Sequence, residues 1–326
     1  MKERDADEVI GEARTAEANG RTQEAILLLE GVVRHEPLHA GAWAFLADLY
    51  AGEEQFAAAE EAFNRAIAAK PDYAAAYSGL GRSLAALGRN RDALSAFEAS
   101  IRLRPTASRY VLLADVQESL EDDSAAEQSL RRALELEADN EEAMLNLALL
   151  RRNQDHQEAL TLLKNATKID PLNSIILREL GFELARTGRL EEAQHHLETA
   201  RTISPKDAWT RLYLAKLYHA NGADDEAERE HREAVRLSPL SVLFLQQLGS
   251  FELEKNRADD AIVHLREAQA LLPGDAEGAF LLGKALIAAG AISEGKDWLH
   301  KALSLDPSHE GARTLRELPN GRKSGD

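Results

Sequence analysis

Pro37, Pro71 and Pro105 stand 34 residues apart, and so do Pro171, Pro205, Pro239, Pro273 and Pro307. The one wider gap, Pro105 to Pro171, is 66 residues, and Ala138 stands where an intermediate proline would fall. Proline lacks a backbone N–H and fixes φ, so each one ends a helix and sets the direction in which the chain leaves it. Punctuation at a constant interval of this size is the mark of a repeat array. Length leaves open whether 326 residues make two ordinary domains or one array, and the proline interval decides for the array.

The interval predicts nine units, at 6–39, 40–73, 74–106, 107–140, 141–173, 174–207, 208–241, 242–275 and 276–309. In the second, Trp43, Leu46, Ala47 and Tyr50 are three and four apart and form one helical stripe, and Ala59, Phe63 and Ala66 form another. Two facing stripes make a helix hairpin. Small residues at Ala47, Gly81, Ala114, Ala148, Gly181, Ala215, Gly249 and Gly283, facing Ala59, Ala93, Ala126, Ala159, Ala193, Ala227 and Ala261, let the two backbones approach. Gly20, Gly88, Gly188, Gly222 and Gly290 recur where the first helix must stop, as a left-handed C-terminal residue would. The fifth unit lacks that glycine and is one residue short between Met144 and Ala159, which predicts a tighter turn.

The dominant residues, Ala, Leu, Glu and Arg, are good helix formers, so the whole chain reads as all-helical. The end units depart from the pattern, with Val9, Glu12 and Gly295 at signature positions. Ends of an array have no neighbour to cover them, so atypical terminal units are expected. Residues 1–5 read as an N-terminal extension, 310–318 as a short capping helix and 319–326 as a disordered tail.

The set Trp43, Leu46, Ala47, Tyr50, Ala59, Phe63, Ala66 and Pro71 resembles the tetratricopeptide repeat, and the resemblance covers nearly the whole chain. It implies an all-α, right-handed superhelical solenoid of about nine antiparallel helix hairpins, with the first helices lining a concave groove. Positions two, five, six, nine, twelve and thirteen of each unit then face the groove. They carry nine acids (Asp7, Glu17, Asp48, Asp115, Glu118, Glu142, Glu179, Glu254, Glu277) against seven bases (Arg14, Arg82, Arg152, Arg178, Arg186, Lys216, Lys284), a nearly neutral lining. In the second half they are also apolar: Ile175, Phe182, Trp209, Leu212, Tyr213, His219, Leu243, Phe280, Leu281 and Ile287. Leu281 and Ile287 read equally well as packing.

Exposed apolar and aromatic clusters mark binding surfaces. The expected function is therefore a protein–protein interaction scaffold or adaptor that binds a peptide or amphipathic helix across units six to nine. Its anchors would be Phe182, Trp209, Leu212, Tyr213, Leu243 and Phe280, with Arg178, Lys216 and Lys284 orienting polar groups of the ligand. Some members of the family grip a C-terminal carboxylate with Lys, Asn and Arg. The corresponding positions here read Ile10, Arg14, Phe45, Ala75 and Gly79, and no such clamp is visible.

A net charge of −17 opposes binding to nucleic acid or anionic membrane and favours a neutral, apolar or basic partner. No run approaches the roughly 18 apolar residues that a membrane span needs. The charged start of the chain shows no signal peptide, which makes cytoplasmic the expected location. Cysteine is absent.

His35-Glu36-Pro37-Leu38-His39 matches the zinc-hydrolase pattern H-E-x-x-H in letters. That chemistry needs both imidazoles on one helical face, and Pro37 breaks the helix between them. With no phosphate-cradling loop and no nucleophile elbow, catalysis, cofactor and metal are not expected, and a zinc hydrolase is only a remote alternative. The nearer alternative is a self-assembling platform, a homo-oligomer.

Overall fold

The computed structural model describes residues 5–316. The expectations for residues 1–4, for 317–318 of the capping segment and for the 319–326 tail lie outside the described residues. Among the described residues there are nineteen helices and no strand, and eighteen of the helices pair into nine antiparallel hairpins. The chain forms two compact units, Met1–Asp170 and Pro171–Asp326. Among the described residues no helix is long and apolar enough to cross a membrane.

The first unit holds five hairpins: α1 (Ala6–Ala18) with α2 (Thr22–His35), α3 (Ala40–Gly52) with α4 (Phe56–Ala69), α5 (Ala74–Ala86) with α6 (Asn90–Leu103), α7 (Ala107–Ser119) with α8 (Asp123–Leu136), and α9 (Glu141–Arg151) with α10 (His156–Ile169). The second holds four: α11 (Ser174–Arg186) with α12 (Leu190–Ile203), α13 (Ala208–Ala220) with α14 (Asp224–Leu237), α15 (Val242–Glu254) with α16 (Ala258–Leu271), and α17 (Ala276–Ala288) with α18 (Ile292–Leu305). A last helix, α19 (Glu310–Arg316), packs on α17 and α18, with Ala312 fully buried among Ala279, Leu299 and Ala302.

One slot on each second helix supplies the large knob of the core. Phe63, Phe97, Leu130, Leu163, Leu197, Leu265 and Leu299 occupy it from α4 to α18, each at most 1% exposed. At the same place on α14 stands His231, also buried and packed 5.2 Å from the Phe251 ring. Opposite the knobs, the small residues are required by contact. A Cβ at Gly81 would lie 2.8 Å from the Phe97 ring.

The turn inside a hairpin needs one residue in the left-handed region. Gly20, Gly88, Gly188, Gly222 and Gly290 take it at φ between 72° and 89°, and Glu54, Glu121 and Asn256 take it in their own hairpins at φ of 58° to 61°. A side chain in that region costs about 1–2 kcal/mol because Cβ crowds the carbonyl oxygen. Glu121 is exposed, so Glu121→Gly is expected to stabilise the first unit by roughly 1 kcal/mol, read as a higher urea midpoint at unchanged slope. No rise in the midpoint would mean that the turn carries no strain.

The fifth hairpin corrects the expectation of a tighter turn. The missing residue comes out of the helix: α9 has 11 residues where the other first helices have 13. Its turn is four residues long, 152–155, against three elsewhere. It closes through Gln154 N–H and Asp155 N–H on the Arg151 carbonyl at 2.9 and 2.8 Å, and the Asp155 carboxylate caps α10.

Candidate functional site

The first helices of the second unit carry a connected set of rings. Asp207 starts α13: its carboxylate accepts the N–H groups of Trp209 and Thr210 at 3.3 and 3.2 Å, satisfying two of the donors that a helix leaves open at its start. That cap is held from α11 by Arg178, whose Nη1 lies 3.1 Å from Asp207 and whose Nε donates to Glu179 at 2.8 Å. Partial burial works against the Asp207 charge, but the Thr210 hydroxyl and Arg178 outweigh it and hold the carboxyl below the usual range. Trp209 therefore leaves α13 from a fixed first turn.

From Trp209 the rings run in both directions. Its indole meets Phe244 on α15 edge-on at 5.3 Å and Tyr213, one turn along α13, at 6.1 Å. Tyr213 stacks on Phe182 of α11 at 4.4 Å with 24° between the planes. The Arg186 guanidinium lies 5.7 Å from the Phe182 centroid, and its Nη1 is 3.2 Å from the buried Glu183. Stacked and edge-on pairs at these distances are the preferred arrangements of aromatic quadrupoles and keep each ring in place. Beside the ladder, Ile175, Trp209 and Leu243 stand at one register on α11, α13 and α15, 34 residues apart, and are 46, 44 and 38% exposed. The result is an apolar row at the first turns of three consecutive first helices.

Five of the nine residues expected at the site thus stand together with an accessible face or near one: Phe182 and Tyr213 half-buried in the ladder, Trp209 and Leu243 exposed, and Lys216 exposed one turn beyond Tyr213. Lys284 is exposed on α17. The other three are placed differently. Leu212 is 1% exposed in a core with Ala208, Ala234 and Phe244, so it cannot meet a ligand. The Arg178 guanidinium is occupied by Glu179 and Asp207 with its side chain only 16% exposed, so it orients α13 rather than a ligand. Phe280 is half-buried under the chain's own end: His309 lies 4.6 Å from its ring, and a Cβ on Gly311 would come within 2.8 Å of it. Leu281 is buried and Ile287 packs against the α18 side of its hairpin.

Sequence reading missed Phe244 as a rung of the ladder and Asp207 as its anchor. A signal for Asp207 exists, since Asn140, Asn173, Asp207, Ser241 and Asp275 all cap first helices at the repeat interval.

The near-neutral lining also divides unevenly. Second-unit positions carry Glu179, Glu254 and Glu277 against Arg178, Arg186, Lys216 and Lys284, whereas those of the first unit carry six acids and three bases. In the first unit, burial and neighbouring carboxylates push Asp115 and Glu118 above the usual range, and burial does the same at Asp48 against the pull of Arg82.

The H-E-x-x-H letters do not converge. α2 ends at His35, and the His39 imidazole accepts the Ala42 N–H at 2.9 Å as the cap of α3. The described residues contain no group of three or more His, Cys, Asp or Glu placed to hold a metal ion.

The tetratricopeptide repeat profile matches residues 10–74, 46–108, 78–143, 111–174 and 145–208, and a second profile of the same description matches 184–236 and 252–318. Among characterised proteins, the chain is 27% identical over 248 residues to the peroxisomal targeting signal receptor of Candida albicans and 26% identical over 247 to that of Saccharomyces cerevisiae. Those alignments cover 72% of this chain but only 41% and 38% of the receptors, so the chain spans about two fifths of their length. It is 34% identical to cellulose synthase operon protein C of Xanthomonas axonopodis pv. citri over 140 residues, 40% of this chain and 9% of that one.

Solved structures agree in fold. The Cut9–Hcn1 assembly matches with a TM-score of 0.65 at 16% identity over 91% of this chain and 58% of the other. The pilus biogenesis factor PilW matches with 0.59 at 19% over 64% of this chain and 97% of its own. Helix hairpins at a 34-residue interval, knobs against small residues and profile matches over both units together make this chain a member of the tetratricopeptide repeat family.

Proposed function

We propose that the protein is an adaptor that holds a segment of another protein along the first-helix face of its second unit. The observation that carries this reading is the row Ile175, Trp209 and Leu243, left exposed beside a ladder that immobilises Trp209 and Tyr213. Rigid aromatic side chains lose little entropy when covered, and Trp and Tyr dominate the energetics of interfaces. Nothing in this face supplies a nucleophile and base in contact, so recognition rather than bond-making is the chemistry it offers. The related fungal proteins are, by name, receptors for a targeting signal, which supports capture of a short segment as the mode of action.

The test is capture from native extract by wild type and by Trp209→Ala, with each bound protein then titrated in purified form. Truncating a central anchor costs about 2 kcal/mol, so affinity is expected to fall roughly 30-fold. The helical signal and melting midpoint should stay near wild type, because Trp209 is nearly half exposed. A partner bound equally by both would remove the second-unit face from the reading. A variant that lost helicity as fast as affinity would make Trp209 a core residue.

A further inference from the structure

In a chain of net charge −17, an ammonium group without a counter-ion is the exception. On the first-helix face of the second unit the lining carboxylates already have cations. Glu179 is 2.8 Å from Arg178, Glu254 is 2.9 Å from His219 and Glu277 is 3.0 Å from His309. Arg178 and Arg186 are likewise held, by Asp207 and Glu183. Lys216 and Lys284 remain, on α13 and α17 at the same repeat position, and among the described residues neither has an ion pair or hydrogen bond. The uncompensated charge of this face is therefore positive, opposite in sign to the protein as a whole.

Lys216 is the more telling of the two. It lies one turn from Tyr213, next to the ladder, and although exposed it is partly desolvated, so that burial alone pulls its pKa below the usual lysine range. The free protein thus already carries part of the desolvation that an ion pair would otherwise impose, and a carboxylate arriving there gains more than it would beside a fully hydrated lysine.

We propose that the segment held on this face is acidic and amphipathic, laying apolar side chains on Ile175, Trp209 and Leu243 and Asp or Glu carboxylates on Lys216 and Lys284. This rests on the adaptor reading and adds the chemistry of its partner. It also reverses the preference that the net charge suggests, because the charges within reach of a bound segment, not the sum over the chain, set which partner is attracted.

The test is selection of a random 20-residue peptide library, displayed on phage, against the full chain. The selected peptides are then titrated against wild type, Trp209→Ala, Lys216→Glu/Lys284→Glu and Lys216→Arg/Lys284→Arg. Expected are peptides enriched in Asp and Glu as well as in large apolar residues. Their affinity should fall at least about tenfold on charge reversal and with added salt, and be largely retained by the arginine pair. Both lysines are exposed, so the variants should fold, which circular dichroism checks.

Peptides without acid enrichment, or indifferent to charge reversal, overturn the acidic partner. If those peptides are still lost on Trp209→Ala, the adaptor face survives. Peptides indifferent to Trp209→Ala, or no selected peptides, overturn both. A wild-type dimer in light scattering that dissociates on Lys216→Glu/Lys284→Glu would make the occupant a second copy of this chain and overturn a separate acidic partner.

Discussion

Phe63→Ala is expected to destabilise the first unit by about 3–5 kcal/mol, the usual loss for emptying a buried aromatic site. Phe63 is 1% exposed and sits among Ala47, Ala59, Ala62 and Ala76 in the core shared by α3, α4 and α5. Its ring faces Gly79 so closely that an added Cβ would fall 2.2 Å from a ring carbon, a distance no real contact has. Gly79→Ala should therefore cost about 1–3 kcal/mol as an overpacking change, although alanine is the better helix former by about 1 kcal/mol.

The two sites share one volume, so their effects should not add. The double variant Phe63→Ala/Gly79→Ala is expected to be more stable than the sum of the single losses by at least about 1 kcal/mol, because the new methyl enters the space the ring has left. Urea denaturation of the four proteins measures this. Additive losses would mean that Gly79 and Phe63 do not touch.

His231→Leu is expected to raise stability, and to raise it more in acid. His231 occupies a slot that seven other second helices fill with Phe or Leu. Burial first, then the nearby Lys216 and His219 charges, lower its pKa from 6.5 to about 4. The unfolded chain therefore binds a proton near pH 6.5 that the folded chain refuses until near pH 4, and stability is lost as pH falls through that window. The shift corresponds to roughly 2–3 kcal/mol between the two ends of the window. His264 acts in the opposite sense: its hydrogen bond to the buried Glu252 at 2.8 Å raises its pKa, giving stability at low pH that is lost as pH rises. For that reason the informative quantity is the difference between His231→Leu and wild type, measured by thermal or urea unfolding across pH 4 to 7. A constant difference would show that His231 titrates alike in both states.

The positions of the hairpins were legible because they depend on local chemistry repeated at a fixed interval. Each proline stops a second helix wherever the chain goes next, and Gly20, Gly88, Gly188, Gly222 and Gly290 take positive φ where the sequence places them. The fifth turn was not legible, because a single missing residue can be taken from either the helix or the turn. The structure takes it from the helix, where Asp155 then caps α10.

The site was legible only in part, for a related reason. Positions two and five of a unit lie on the same side of a first helix, and periodicity alone treats Leu212 and Leu243 alike. Neighbouring helices do not: Leu212 faces Ala234 and Phe244 while Leu243 faces outward. Similarly, Arg178 reads as a free cation until Asp207 and Glu179 are brought to it, and Phe280 reads as a groove residue until His309 and Gly311 close over it.

By itself the sequence determined the repeat, the helices, their turns and the family, since proline, glycine and small-residue spacing act within a single hairpin. Only the tertiary structure decided which apolar side chains stay exposed and which lysines lack a carboxylate, because burial and pairing are properties of surfaces contributed by two or three hairpins together.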